Sequence, residues 1–161
     1  MEQMKVTQTR LVLPADTNAH NTLFGGKLMN YIDDSSAIAA VRYARRLCVT
    51  ASTDSVDFLH PINANHSVTL EAFVSGSGKR SLEVFCKITG ESLATGQTYL
   101  AATAFSTFVI VDDNPEPLKK FEPTNSEERL VHEGYEERRN FREARRTHHK
   151  AFVTSLLEQD K

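Results

Sequence analysis

One long helical pattern, from about Leu23 to Arg46, is followed by four strand-like runs with no second helix between them. Within it Leu28, Met29, Ile32, Ser36, Ala37, Ala39 and Ala40 recur at three- and four-residue spacing, the period of one helix face. The later runs are Val49 to Leu59, His66 to Ser75, Arg80 to Thr89 and Leu93 to Val111. The third places Leu82, Val84, Cys86 and Ile88 on one side, and the last is long enough to require a bend. Gly76 to Lys79 predicts a hairpin turn. A shorter run from Val6 to Leu13, stopped by Pro14, predicts a first strand ahead of the helix. Consecutive strands joined by short turns favour an antiparallel sheet with the helix against one face, an α+β arrangement.

The chain has 161 residues, long enough for one domain with a real core. A formal net charge of −2 with 25% charged residues gives no reason to expect nucleic acid or an anionic membrane as partner. No apolar run approaches the roughly 20 residues of a membrane span, and the N-terminal MEQMKVTQTR is too polar for a secretory signal. Cys48 and Cys86 lie in strand-like runs without CxxC spacing, which predicts two reduced core thiols and a cytoplasmic setting.

Several motifs fail on inspection. Ser75-Gly76-Ser77-Gly78-Lys79 suggests a phosphate loop, yet Phe73 and Arg80 stand where glycine and Ser or Thr are needed. No G-x-S-x-G elbow supports a serine nucleophile, and no H-E-x-x-H supports a metal, so none is expected. His20 and His60 sit in turns and are read as structural hydrogen-bonding residues. Residues 125–161 hold eight Lys or Arg against eight Asp or Glu. That balance predicts a polar helix to about Arg146, then an amphipathic segment with Phe152, Val153, Leu156 and Leu157. Arg138, Arg139, Arg142, Arg145 and Arg146 form a stripe read as a solvated face, paired within the helix with Glu136, Glu137 and Glu143. Thr124 and Glu127 have capping-box spacing.

The stretch Pro14 to Ala40 conflicts with a simple core helix. Gly25-Gly26 opens the helix, leaving backbone N–H groups approachable at its positive end, a setting that suits an oxyanion. Asp33 and Asp34 follow about two turns later among small and apolar residues. Adjacent helical residues point about 100° apart, so one carboxylate faces solvent while the other is pressed toward an interface. Desolvation there favours general-base work; a polar notch at a subunit contact is the other reading of the same pair.

Three stretches resemble a known family. They are Pro14-x-Asp16-Thr17-Asn18 with Leu23-Phe24-Gly25-Gly26-x-Leu28-Met29 and Ile32-Asp33, then Thr50 through Pro61, then Gly78-Lys79-Arg80-Ser81-Leu82-Glu83-Val84. Together they look like the signature of hotdog-fold acyl-CoA thioesterases, over about residues 6–120, with 121–161 as a charged helical extension. The resemblance implies an antiparallel sheet wrapped around the long helix and homodimers with shared active sites, assembled into a hexamer as a trimer of dimers. It implies hydrolysis of acyl-CoA to free acid and CoA without a cofactor, CoA being part of the substrate. Asn18 and Asp33, from different subunits, are implied as catalytic. Asp33 acts as general base on water or as nucleophile, the Gly26 N–H holds the oxyanion, and Thr53 hydrogen-bonds to Asp33 or the water. Lys79, Arg80 and Ser81 are candidates for binding CoA phosphates. The family's usual glycine is replaced by Asn21, the next-best residue for a left-handed turn. A non-catalytic acyl-CoA-sensing module is the alternative; a hotdog lyase is disfavoured because no histidine lies in the helix.

Overall fold

The computed structural model describes residues 5–159. The first four residues of the polar N-terminal stretch and the last two of the 121–161 extension lie outside the described residues. The elements are β1 (Val6–Leu11), α1 (Gly25–Ala44), β2 (Cys48–Phe58), β3 (His66–Ser77), β4 (Ser81–Ser92), β5 (Thr98–Ile110), α2 (Ser126–Glu133) and α3 (Tyr135–Gln159). The five strands form one antiparallel sheet in the order β1-β3-β4-β5-β2. Helix α1 packs against all five, so the expected α+β arrangement is the observed one.

Strand alternation decides which side chains meet α1. Val68, Leu70, Ala72 and Val74 of β3 and Leu82, Val84, Cys86 and Ile88 of β4 are all buried in the main core, with Leu28, Ile32, Ala39 and Ala40 of the helix. Ser35 and Ser36 are buried on the same helix and keep it close to the sheet. Ser35 donates to Gln8 Oε1 at 3.2 Å.

The opposite sheet face is covered by the C-terminal helices. Phe73, Phe85 and Phe105 form an aromatic row across β3, β4 and β5, with ring centroids 5.4 and 5.1 Å apart. Beside them Glu83 is 1% exposed. Its carboxylate accepts from Ser75 Oγ at 2.6 Å, from Arg138 Nη2 at 2.8 Å and from Arg142. Arg138 also lies 4.1 Å from the Phe105 ring centroid. Tyr135 rests on Gly76, where an added Cβ would lie 2.1 Å from the ring. A four-membered cluster of Lys5, Glu71, Lys87 and Glu127 ties α2 to β3, to β4 and to the residue ahead of β1.

The arginine stripe is therefore not a solvated face. Arg138 and Arg142 converge on Glu83, and Arg145 reaches Asp54 at 2.6 Å. Of the expected intrahelical pairs, Arg139 makes those with Glu136 and Glu143. A buried carboxylate from a distant strand outcompetes exposed local pairing, because burial without partners is far costlier. Helix α3 also continues without a break to Gln159.

Three boundaries moved. Leu93 to Val111 is not one bent strand: β4 runs on to Ser92, and residues 93–97 turn back into β5, with Gly96 N–H donating to Ser92 O and Gly96 at φ 73°. The hairpin after β3 turns at Gly78, with Ser77 still in the strand. The capping box is shifted by one residue. Asn125 Oδ1 accepts from Glu128 N–H at 2.9 Å, and Glu128 accepts from the Thr124 N–H and hydroxyl, while Glu127 is drawn off to the two lysines.

Replacing Glu83 with Ala leaves Arg138 and Arg142 without their carboxylate and should cost about 3–5 kcal/mol in urea unfolding. Cys48 and Cys86 are free and buried, and burial pushes the Cys86 thiol up to about 12. Both should stay unreactive toward Ellman's reagent at pH 8 until the protein is unfolded, as the absorbance of released thionitrobenzoate will report.

Candidate active site

The loop before α1 is built around one side chain. Pro14–Asp16 makes a single helical turn, and Phe24 N–H returns to Asp16 O at 2.8 Å. Between them Asn18 N–H donates to Thr22 O and Asn21 N–H to Asn18 O, closing a tight turn with Asn21 at φ 57°. Asparagine tolerates that left-handed conformation better than most residues, as expected for the usual glycine's replacement. Asn18 Oδ1 accepts from the backbone N–H of His20 at 2.9 Å and of Thr22 at 3.3 Å. Backbone N–H groups only donate, so the amide oxygen must face the loop, and what Asn18 offers outward is its Nδ2 donor. Nδ2 also reaches Thr22 Oγ1 at 3.0 Å.

Asn18 lines a cavity of about 410 Å³ with Gly25, Leu28, Phe58, His60 and Ile62. The cavity is mostly apolar with a few polar groups, the usual character of a small-molecule site. Helix α1 begins beside it. Phe24 supplies no side-chain cap, so the N–H groups of the first turn, Gly26 included, have neither an intrahelical acceptor nor a side-chain cap. A Cβ on Gly26 would lie 2.6 Å from the Phe24 ring, whereas one on Gly25 would meet Phe58 at an ordinary 3.7 Å. Gly26 thus lets Phe24 fold against the helix start as well as leaving its own N–H open.

Both Asp33 and Asp34 are exposed; Ile32, Ser35 and Ser36 take the buried face. The expected pressing of one carboxylate against an interface does not happen within the single chain, because both lie off the stripe that meets the sheet. The two differ in one contact: Asp33 Oδ1 accepts from Thr50 Oγ1 at 2.7 Å. The hydrogen bond anticipated from Thr53 thus belongs to Thr50, while Thr53 is exposed in β2 opposite Ser106. Asp33 does not line the cavity that contains Asn18.

The sequence profile of the thioesterase superfamily matches residues 20–96. An uncharacterized acyl-CoA thioester hydrolase of Bacillus subtilis is 49% identical over 157 residues, 96% of this chain and 91% of the relative. The chain belongs to this family of acyl-CoA thioester hydrolases. An acyl-CoA hydrolase from Staphylococcus aureus, solved with butyryl-CoA, CoA and CoA disulfide, superposes with a TM-score of 0.89 at 38% identity, covering 94% of both chains. Alanine variants of an aspartate, a threonine and an asparagine of that enzyme were also solved. An apo-hexameric acyl-CoA thioesterase superposes with a TM-score of 0.83 at 40% identity, covering 88% of this chain and 92% of its own.

Among the features of this acyl-CoA thioester hydrolase, the β3–β4 hairpin lies at the other end of the strands from the cavity. There Arg80 donates to the carbonyls of Asp112 and Asn114, organising the loop after β5, while Lys79 is exposed and Ser81 opens β4. His60 makes the structural contact expected of it, Nδ1 to Pro61 O at 2.6 Å, but it also lines the cavity and packs 4.3 Å from the Tyr99 ring. Burial pushes the Tyr99 phenol up, and its hydroxyl meets His66 Nδ1 at 2.8 Å. The His60–Pro61 pair was visible in the sequence; its role as cavity wall was not, because Tyr99 comes from a strand 39 positions away. No group of three or more potential metal ligands gathers, and no helix is long and apolar enough to cross a membrane, among the described residues.

Asn21→Gly should fold at least as stably as the parent, whereas Asn21→Val should lose about 1–2 kcal/mol from the cost of a left-handed β-branched residue, read as a shift in the urea midpoint.

Proposed function

We propose that the chain hydrolyses acyl-CoA to a free carboxylic acid and CoA by water attack, with Asp33 as general base. The observation that carries this is the set Asn18, Asp33 and Thr50. In the S. aureus enzyme the three substituted residues are spaced so that the asparagine precedes the aspartate by fifteen positions and the threonine follows it by seventeen. Asn18, Asp33 and Thr50 have the same spacing. Here Thr50 fixes one carboxylate oxygen, which leaves the other to take a proton from water. The water oxygen bonds to the thioester carbon, the C–S bond then breaks, and the departing thiolate takes up the proton. Asn18, held donor-outward, orients the water or the thioester oxygen, and the Gly26 N–H at the helix start receives the developing negative charge. A thioester carbonyl is electrophilic enough for this route to need no cofactor.

Asp33 does not line the cavity of Asn18 within one chain, which supports a site completed by a second copy, with Asn18 from one subunit and Asp33 from the other. The hexameric relative supports a trimer of such dimers. Lys79, with Arg80 and Ser81 beside it, is the candidate contact for CoA phosphates on the neighbouring surface, and Thr53, exposed in β2, is a further candidate for holding the water. Two unpaired thiols support a cytoplasmic setting.

Thiol release from a panel of acyl-CoAs tests the reading. Asp33→Ala should lower kcat by about 10²–10⁴-fold, the usual contribution of a general base, and Thr50→Ala should lower it less. Lys79→Ala should raise KM with little change in kcat. A folded Asp33→Ala variant at full rate would overturn the mechanism. A wild type that binds acyl-CoA without turnover on any chain length would return the chain to the sensing-module alternative.

A further inference from the structure

We propose that residues 147–159 of α3 form an arm that clasps a second copy of this chain across the free edge of β2. The contacts of α3 follow the strand order of the sheet. Tyr135 lies on Gly76 of β3, Arg138 and Arg142 bind Glu83 of β4, Arg138 stacks on Phe105 of β5, and Arg145 binds Asp54 of β2. The helix therefore crosses the outer sheet face toward one edge and, having reached the last strand, continues past it. Residues 147–159 extend about 20 Å at 1.5 Å per residue, equivalent to roughly four strand spacings. Every described residue from Glu143 onward is exposed.

The overhang is not a polar tail. Phe152, Val153, Leu156 and Leu157 recur at the spacing of one helix face, and Phe152 and Leu157 are 57% and 64% exposed. A helical stretch of this length has marginal stability in water without a partner, and such a stripe needs covering. What lies beneath it is set by the edge it overhangs. Strand β2 has eleven residues, pairs with β5 on one side, and is the edge of the sheet on the other. An unpaired edge of that length is a template for another strand. A second copy joined at β2 brings the outer face of its own sheet directly under the arm, and a twofold axis at that junction makes the clasp reciprocal. Phe141, 68% exposed on the partner-facing length of α3, is the apolar surface such an antiparallel helix neighbour would meet. The inference rests on the reading above that the chain assembles with copies of itself, and it adds the element that holds them.

Sedimentation velocity on the full-length protein tests it. The double substitution Phe152→Asp, Leu156→Asp should raise the concentration at which assemblies dissociate by at least about tenfold, the order expected when two apolar side chains lose their burial, with circular dichroism matching the parent. Assembly unchanged from wild type overturns the proposal. A wild type that is monomeric at every concentration overturns the assembly reading instead, so the two failures are distinct. In the otherwise unaltered chain, a photoreactive benzoylphenylalanine at position 153 should give covalent dimers mapped to the partner's β2, β5 or α3. Adducts confined to one chain overturn the clasp. If the double variant assembles normally but loses wild-type binding to phosphatidylglycerol–phosphatidylethanolamine vesicles, the stripe faces lipid and the proposal is likewise overturned.

Discussion

A single carboxylate organises the outer half of this molecule. Glu83 sits in the middle of the sheet, on the face away from α1, and is almost wholly withdrawn from solvent. An ionised group in that position is tolerable only when hydrogen-bonded and paired. Ser75, Arg138 and Arg142 meet the requirement together, which fixes where α3 crosses the sheet and in which rotation. The C-terminal segment is thus joined to the sheet by a demand that arises in β4. Tyr135 on Gly76 and Arg145 on Asp54 hold the same helix at either side of that point.

The inner half follows a different rule. There the sheet and α1 meet through aliphatic and small side chains, and the helix face with Asp33 is left out of the packing. In the loop ahead of α1, Asn18 turns its amide oxygen to the backbone and leaves its amide nitrogen outward. Asn18 spends its carbonyl oxygen on two backbone N–H groups. Its orientation is therefore fixed before any ligand arrives, the kind of pre-organisation that makes a donor effective.

What could be read from the sequence and what could not divides along the range of the interactions. Helix α1 and the core faces of β3 and β4 follow from local periodicity, and the left-handed turn at Asn21 from residue chemistry. The charged C-terminal segment could not be read this way. Local spacing pairs its arginines with glutamates three and four residues away, which holds for Arg139, whereas the partner of Arg138 and Arg142 is 55 and 59 positions distant. The break between β4 and β5 reads a few residues too early, because Gly90, Glu91 and Ser92 have turn composition while Leu93 and Ala94 look like the start of a strand. At the candidate site, Asn18, Gly26 and Asp33 stand in the motif, while the hydrogen bond to Asp33 expected from Thr53 is made by Thr50. A strict two-residue alternation through β2 puts Thr50 and Thr53 on opposite faces, but that end of the strand is polar on both sides and does not show which face meets Asp33.

The placement of Thr50 has a structural cause in the two register shifts of β2, between Thr50 and Ser52 and between Thr53 and Ser55. In a regular strand residues 50, 52 and 54 would share a face. Here Thr50 turns toward α1 and Asp33, while Asp54 turns to the other side, where Thr107 and Arg145 bind it. An extra residue in one strand of a pair re-aims the side chains beyond it. One edge strand consequently serves both surfaces of the sheet within five residues, steadying the candidate base on one and the last anchor of α3 on the other. This small irregularity is the joint through which the candidate base and the C-terminal helix share a single piece of backbone.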